Sequence, residues 1–435
     1  MTGQQTLIAR GALAILAGAV SIPLSSSTYL RRLPSLRFDR LAAAAFLITR
    51  LGLFAAIFFI LRLAPRGDVP AYYWPEALSV LRGQLPYRDF LSSYAPLHPY
   101  LDAIAVRIWH TPLAIILLAI LVEAALLPLW LRFGRTLLSE TELRTATLLY
   151  LSNAISLQFV AVDGQDTVII AVFFALSLLL LVRRRELLSE VSVGTAIAAV
   201  KFLPLVYVPV FFVTLVRRWR WMAGFAIPVL LVYGTSVAMH LPILVPLQHE
   251  GNIKEASNLP YLVETLLGIS LPSRLWDLFL LVALAALFLL IGQAARAASH
   301  TSRLRVVTFA FAAVTLALLL FSKKSWPPYL MLALFPICLL LTSASKLQLS
   351  AFAGFSVVGV IEHSYWSTLL RQVPAQELHR DLLSGKPIYL LFLTLDLLLL
   401  AGYSWLLSLS LQRIRSAPHS LPVDEAGVRP AQVTS

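Results

Sequence analysis

Long apolar runs separated by short polar links dominate the chain from end to end. A helix needs roughly 20 apolar residues to cross a bilayer, and runs of about that length recur at 41–63, 111–131, 144–161, 165–182, 221–240, 276–295, 304–321, 327–344, 348–366 and 387–411. Residues 192–216 are apolar too, but Lys201 and Pro204 interrupt them. They read as two short helices in a hairpin that returns the chain to Arg217, Arg218 and Arg220. Residues 7–25 suit either a further span or a surface helix. Arg31 and Arg32 follow them with no A-x-A cleavage site before, so the segment is retained in the mature chain. The pattern predicts an all-α polytopic membrane protein with twelve spans, or thirteen with the N-terminal one.

Composition agrees and narrows the function class. Apolar residues make up 59% of the 435, charged residues only 13%, and mean hydropathy is +0.80. Soluble domains carry about twice that charged share, so a soluble enzyme is excluded. The net charge of +13 lies on the side of the membrane that holds residues 26–40, which marks that side as cytoplasmic and removes any need for a nucleic-acid partner. With one cysteine, Cys338, neither an internal disulfide nor a multi-Cys metal site can form. No linker or internal repeat divides residues 1–415, which read as one transmembrane domain, and 416–435 read as a flexible cytoplasmic tail.

Three outer links are long: 64–110, 241–275 and 367–386. Loops beyond about 15 residues are usually functional or disordered, and the first is too aromatic and patterned for disorder. Pro75 suits the first turn of a helix and Gly83 its end. Trp74, Ala77, Leu78 and Leu81 would line one side, as in an amphipathic helix lying on the bilayer. Asp68 stands just before it. Pro86, Pro96 and Pro99 then hold a return segment presenting Tyr87, Arg88, Asp89, Tyr94 and His98.

That loop resembles glycosyltransferase family 87. The resemblance rests on an acid directly after the first long span (Asp68), Tyr72 four residues later, G-x-x-P-Y-R-D-F from Gly83 to Phe90, and Y-x-P from Tyr94 to Pro96. Further matches are G-Q-D from Gly164 to Asp166, K-F-L-P from Lys201 to Pro204, and the basic-aromatic R-R-W-R from Arg217 to Arg220. The similarity covers roughly residues 40–345. Family members often have two prolines after the loop tyrosine, where this chain has Ala95 and Pro96. The resemblance implies a GT-C-type fold, a polyprenyl-phosphate sugar as donor, a glycolipid or glycan acceptor, and Asp68 as catalytic base. Mannose is the sugar it implies first, with arabinose as the alternative.

The chemistry of such a transfer sorts the remaining residues. An acceptor hydroxyl must lose a proton, which a carboxylate can take, and the leaving lipid phosphate needs cations. Asp68 is either that acid or a solvated helix cap. Asp89 is either a second acid or an ion-pair partner of Arg88 or Arg82. Tyr72, Tyr87, Arg88, Tyr94, His98, Gln165 and Asp166 are candidate substrate or acceptor contacts. Lys323 and Lys324 in a short outer turn, His363 near a span end and Lys201 at the hairpin tip are candidate phosphate ligands, with snorkelling the plain alternative for Lys201. The absence of D-x-D favours a route without metal or other cofactor. Arg50, Glu123 and Asp396 lie inside spans, where an arginine–carboxylate pair is the expected arrangement. Trp74, Trp219, Trp221, Trp326 and Trp366 sit near span ends, as interfacial anchors do. A multi-span transporter or lipid flippase is the competing reading, although such proteins keep outer loops short and carry their charges within spans.

Overall fold

The computed structural model describes residues 3–251, 253–371, 373 and 375–417. Among them every regular element is helical, and the one β-type pairing is an isolated bridge between Pro86 and Phe90. Seven helices are long and apolar enough to cross a membrane: Gln4–Ser26, Ser35–Ile60, Leu113–Gly134, Arg218–Ala238, Ser273–Arg296, His300–Phe321 and Pro387–Ser416. The chain is a multi-pass membrane protein. The helix Pro387–Ser416 takes up the first residue of the expected tail, and the tail from 418 lies outside the described residues.

His300–Phe321 is apolar on every side and buried along nearly its whole length, which places it at the centre. Around it pack Pro387–Ser416, Ser273–Arg296 and several shorter helices. The N-terminal segment is a helix of the bundle, not a surface helix: it lies along Lys346–Tyr365, and Gly18 makes the close approach. A Cβ on Gly18 would stand 2.7 Å from Val357 Cγ2.

Several expected spans are instead broken. Residues 144–161 divide into Glu140–Leu151 and Ala154–Phe159, and 327–344 into a 3₁₀ turn, Pro327–Leu332, and Leu334–Leu340. The predicted hairpin is present, as Glu186–Ala199 followed by Leu203–Tyr207 and Val208–Thr214, with Lys201 at its tip. Irregular backbone at membrane depth survives only where protein satisfies its polar groups. At the first break Arg50 does so: its guanidinium donates to Leu151 O at 2.5 Å and Ser156 Oγ at 2.6 Å. Asn153 Oδ1 accepts from Ile155 N at 2.9 Å and so starts the second piece. Hydropathy along the sequence registers only the apolar sum of such a segment, not the polar groups that end its helix.

Arg50 also meets Glu123, Nε to Oε2, at 3.7 Å, the expected arginine–carboxylate pair. Asp396 does not join it; it is buried beside Glu362, whose carboxylate accepts from Ser257 Oγ at 2.6 Å. Trp221 is not an interfacial anchor either. It is buried and stacks between Phe211, 4.7 Å away, and Phe225, 5.6 Å away.

The basic loops meet at one end of the bundle: Arg144 donates to Arg31 O, Arg135 pairs with Asp39, and Arg305 donates to Leu137 O. The patterned loop gathers at the other end with the hairpin tip, the turn at 322–326 and the 241–275 link.

Candidate active site

The Ser35–Ala55 helix ends in a π-turn, Ala56–Ile60, and a second π-turn, Val69–Tyr73, opens the loop helix Trp74–Leu81. Asp68 occupies the N-cap of that second turn, but its side chain makes no capping hydrogen bond. It turns instead to Gln165, whose Nε2 donates to Asp68 Oδ2 at 3.0 Å. The plain reading of Asp68 as a solvated cap therefore fails. Gly164 makes the contact possible. Its φ of +65° suits glycine, and a Cβ there would meet Ile116 Cγ1 at 2.9 Å and Val69 Cγ2 at 3.0 Å.

Asp68 is half-buried and faces a cavity of about 520 Å³. Burial raises its pKa above the usual carboxylate value; Gln165, Lys201 and Arg371 oppose the rise, and Asp166 adds to it. The start of the following helix does not hold the carboxylate low. Withdrawal from water prevails, because no backbone amide of that helix hydrogen-bonds the side chain.

The cavity gathers some predicted residues and replaces others. Asp68, Tyr72, Gln165 and His363 line it, joined by Arg10, Arg66, Asp163, Trp326, Trp366 and Arg371. His363 also meets the Phe159 ring edge-on at 5.3 Å. Arg371 pairs with Glu255 at 3.6 Å. Both tryptophans, read as interfacial anchors, form cavity wall. Arg10 was the residue sequence reasoning could have found: it is an ionisable group in an otherwise apolar helix, and such groups are functional candidates by default.

Behind Asp68 lies a buried polar network. Lys201 Nζ meets Asp166 Oδ1 at 2.9 Å, and His98 stands between Asp166 Oδ2 at 3.6 Å and Asp102 Oδ2 at 3.4 Å. Burial pushes His98 down to about 4, so the ring is neutral at physiological pH. For Lys201, burial works against the charge, but Asp166 and other neighbours more than restore it and the pKa rises. Lys201 is thus a buried ion-pair member, not a snorkelling side chain. Tyr94 stacks on His98 with centroids 4.5 Å apart, and Lys201 Nζ lies 5.3 Å from the Tyr94 ring centre. Ala95 N donates to Val200 O at 2.9 Å, which ties the Y-x-P segment to the hairpin tip. His98, Asp166 and Lys201 support the cavity from behind rather than line it.

The loop itself is strained. Tyr87 adopts φ +67°, a conformation uncommon for a bulky residue. Its hydroxyl donates to Tyr94 O, and its N–H donates to Phe90 O at 2.9 Å. Glu76 is buried beneath, accepting from Ser92 Oγ at 2.8 Å, and burial pushes its pKa up to about 8. Ala77 is fully buried, so the loop helix packs its apolar side on protein rather than only on the bilayer. Arg88 and Asp89 lie outside this arrangement: Asp89 bonds Arg88 at 2.9 Å and Leu85 N at 2.8 Å on the exposed surface. That geometry matches the ion-pair reading of Asp89.

Lys323 is nearly buried and pairs with Asp277 at 2.6 Å, away from the cavity. Lys324 is the more suggestive of the two. Burial, with nearby Lys201 and Arg371, lowers it to about 8, while Asp68 acts in the opposite direction.

A second, mostly apolar hollow of about 470 Å³ adjoins the first. Leu13, Leu53, Ile57, Phe58 and Leu61 line it, and it shares Thr6, Arg10, Arg66 and Asp163 with the polar cavity. Ile8 and Ile60 beside it are exposed, so it opens on the apolar outside of the bundle. The chain matches no family model and no curated protein.

Proposed function

We propose that this protein is a membrane glycosyltransferase of GT-C type that moves a sugar from a polyprenyl-phosphate donor to a glycolipid or glycan acceptor. The observation that carries the reading is the setting of Asp68. A carboxylate with a raised pKa faces a cavity walled by Arg10, Arg66, Arg371 and His363, and that cavity runs into an apolar hollow open to lipid. A substrate with an isoprenoid chain, a phosphate and a sugar has the same order of apolar, anionic and hydroxylic parts. The resemblance of the loop to glycosyltransferase family 87 points the same way.

In this mechanism the acceptor hydroxyl hydrogen-bonds to Asp68. Its oxygen attacks the anomeric carbon from the face opposite the phosphate while the proton passes to the carboxylate. The C–O bond to phosphate breaks with its electron pair, leaving polyprenyl phosphate, and the anomeric configuration inverts. Arginine neutralises charge that develops on the leaving oxygen. Gln165 orients the carboxylate, and Gln165, Lys201 and Arg371 favour its charged form against burial and the neighbouring Asp166. The basic end of the bundle would face the cytoplasm and the cavity the opposite side of the plasma membrane.

The test is turnover of a synthetic polyprenyl-phosphate mannose or arabinose by purified protein in detergent, with no gradient present. Product should form with wild type and fall about 10²–10⁴-fold with Asp68→Asn, the scale of losing a general base. Gradient-dependent vesicle uptake without sugar transfer would establish the transporter reading instead.

A further inference from the structure

The two hollows meet along a seam, and the seam is where a lipid-linked donor must place its charge. Four residues belong to both: Thr6, Arg10, Arg66 and Asp163. On one side the walls are mostly apolar, largely from the first two long helices, with Arg62 and Gln158 as the polar exceptions. On the other lie Asp68, Gln165 and Tyr72. With the chain of such a lipid in the apolar hollow and its sugar against Asp68, the phosphate has no position left but the seam.

Arg10 is built for that position. Its side chain is mostly buried, and Nη2 meets Asp163 Oδ1 at 2.5 Å. Gln158 Nε2 holds the other Asp163 oxygen at 3.1 Å. Asp163 thereby presents the Arg10 guanidinium in a fixed attitude, with a carboxylate on the kind of donor that a phosphate oxygen would use. Arginine has five N–H donors in a planar fork, enough to bind a second oxyanion without surrendering the first. The seam itself carries two arginines, Arg10 and Arg66, against one carboxylate, Asp163, so the seat retains positive charge for a monoanionic sugar phosphodiester. Two of the cations expected from sequence are held away from the seam, Lys323 by Asp277 and Lys201 by Asp166.

We propose that Arg10, supported by Arg66 and aimed by Asp163, is the seat of the isoprenoid-lipid phosphate, and that the N-terminal helix is therefore part of the donor site. This rests on the proposed transferase reading, but it is tested by binding rather than turnover. The probe is decaprenyl monophosphate, titrated into nanodisc-embedded wild type, Arg10→Gln, Arg10→Lys, Asp163→Asn and the Arg10→Gln/Asp163→Asn double variant. Charge-assisted hydrogen bonds of this kind convert to roughly a ten- to hundredfold loss of affinity, expected for Arg10→Gln and for the double variant. Arg10→Lys should recover part of the loss, since a point charge replaces the fork. Asp163→Asn should bind more weakly than wild type but better than Arg10→Gln, since the aim of Arg10 is loosened while its charge is kept; wild-type affinity would show that Asp163 does not position Arg10. The double variant leaves no unpaired buried carboxylate, so its thermal unfolding should match wild type and separate lost binding from lost fold.

If wild type binds and Arg10→Gln binds equally, the seat is elsewhere and the transferase reading stands. If wild type does not bind decaprenyl phosphate at all, the transferase reading falls and this inference with it. Inorganic phosphate and phosphatidylglycerol serve as competitors, and neither should displace the probe. Equal displacement by phosphatidylglycerol would make the seam a general lipid-headgroup site and overturn the assignment.

Discussion

Replacing Gln165 with methionine removes one hydrogen bond and keeps the volume, so it isolates what the amide does for Asp68. Gln165 Nε2 donates to Asp68 Oδ2 at 3.0 Å, and a donor to the charged form lowers a carboxylate's pKa. A hydrogen bond to a charged group contributes about 1.5–3 kcal/mol, so its loss raises Asp68 further and disfavours the charged form by about tenfold or more. Asp68 faces a cavity where water can take over part of the lost bond, so the lower end, about tenfold, is expected. The sign follows from the chemistry. The base works only when unprotonated, so a higher pKa moves the acid limb of the pH profile toward higher pH. Measured as kcat/KM against pH, which reports the free enzyme, Gln165→Met should show that limb displaced upward and kcat/KM below it lowered by about tenfold, with its alkaline plateau near wild type. A limb that stays in place, or moves to lower pH, would show that Asp68 is not the titrating base or that Gln165 does not control it.

Asp89→Asn should leave transfer near the wild-type rate, because Asp89 is spent on an exposed pair with Arg88; an inactive variant with normal folding would move the base there. Arg50→Met should lower stability by about 3–5 kcal/mol, the cost of leaving a buried charge unpaired, and adding Glu123→Gln should recover part of it; equal melting temperatures for wild type and Arg50→Met would refute the pairing. Gly18→Leu should cost about 1–3 kcal/mol by overpacking against Val357, read as a lower melting temperature, with no loss if the N-terminal helix does not pack on Lys346–Tyr365. With Cys338 replaced by alanine, Leu91→Cys should react with an impermeant maleimide on intact cells and Leu347→Cys only after permeabilisation, since both positions are exposed but lie at opposite ends of the bundle; the reverse pattern would invert the proposed orientation.

Helix content, the presence of a long span after residue 40 and the hairpin at Lys201 were legible because hydropathy, proline and charge act locally, whereas that span starts earlier, at Ser35. The Arg50–Glu123 pair was legible for a related reason: charges at membrane depth have few alternatives to each other. The cavity was legible only in part. Asp68, Tyr72, Gln165 and His363 carried motif or position signals, whereas Arg66 and Arg371 resemble ordinary interfacial charges until the fold brings their segments together. Lys323 misled for the opposite reason. Two lysines on the sparsely charged end suggested a ligand, but Asp277, 46 residues away in sequence, takes one of them.

The segments that meet around Asp68 come from places where a helix is interrupted: the π-turn Val69–Tyr73, residues 160–166 after Phe159, the 3₁₀ turn Pro327–Leu332 and the π-turn Trp366–Leu370. An uninterrupted helix satisfies its own backbone at the least cost in lipid, so each interruption must be held by something else. Arg50 holds one from inside the membrane, and the hairpin tip, through Val200 O, holds the loop that carries Tyr94. Departures from local rules concentrate at functional sites, and here they supply what straight spans lack: polar backbone and short side chains facing a cavity at the rim of the bundle. This also explains why the loop motif alone does not describe the site. Asp68 is placed by its own strand of sequence, but its charge state depends on Gln165 and Lys201, from two other interruptions, so the acid works as a base only when all three are folded against one another.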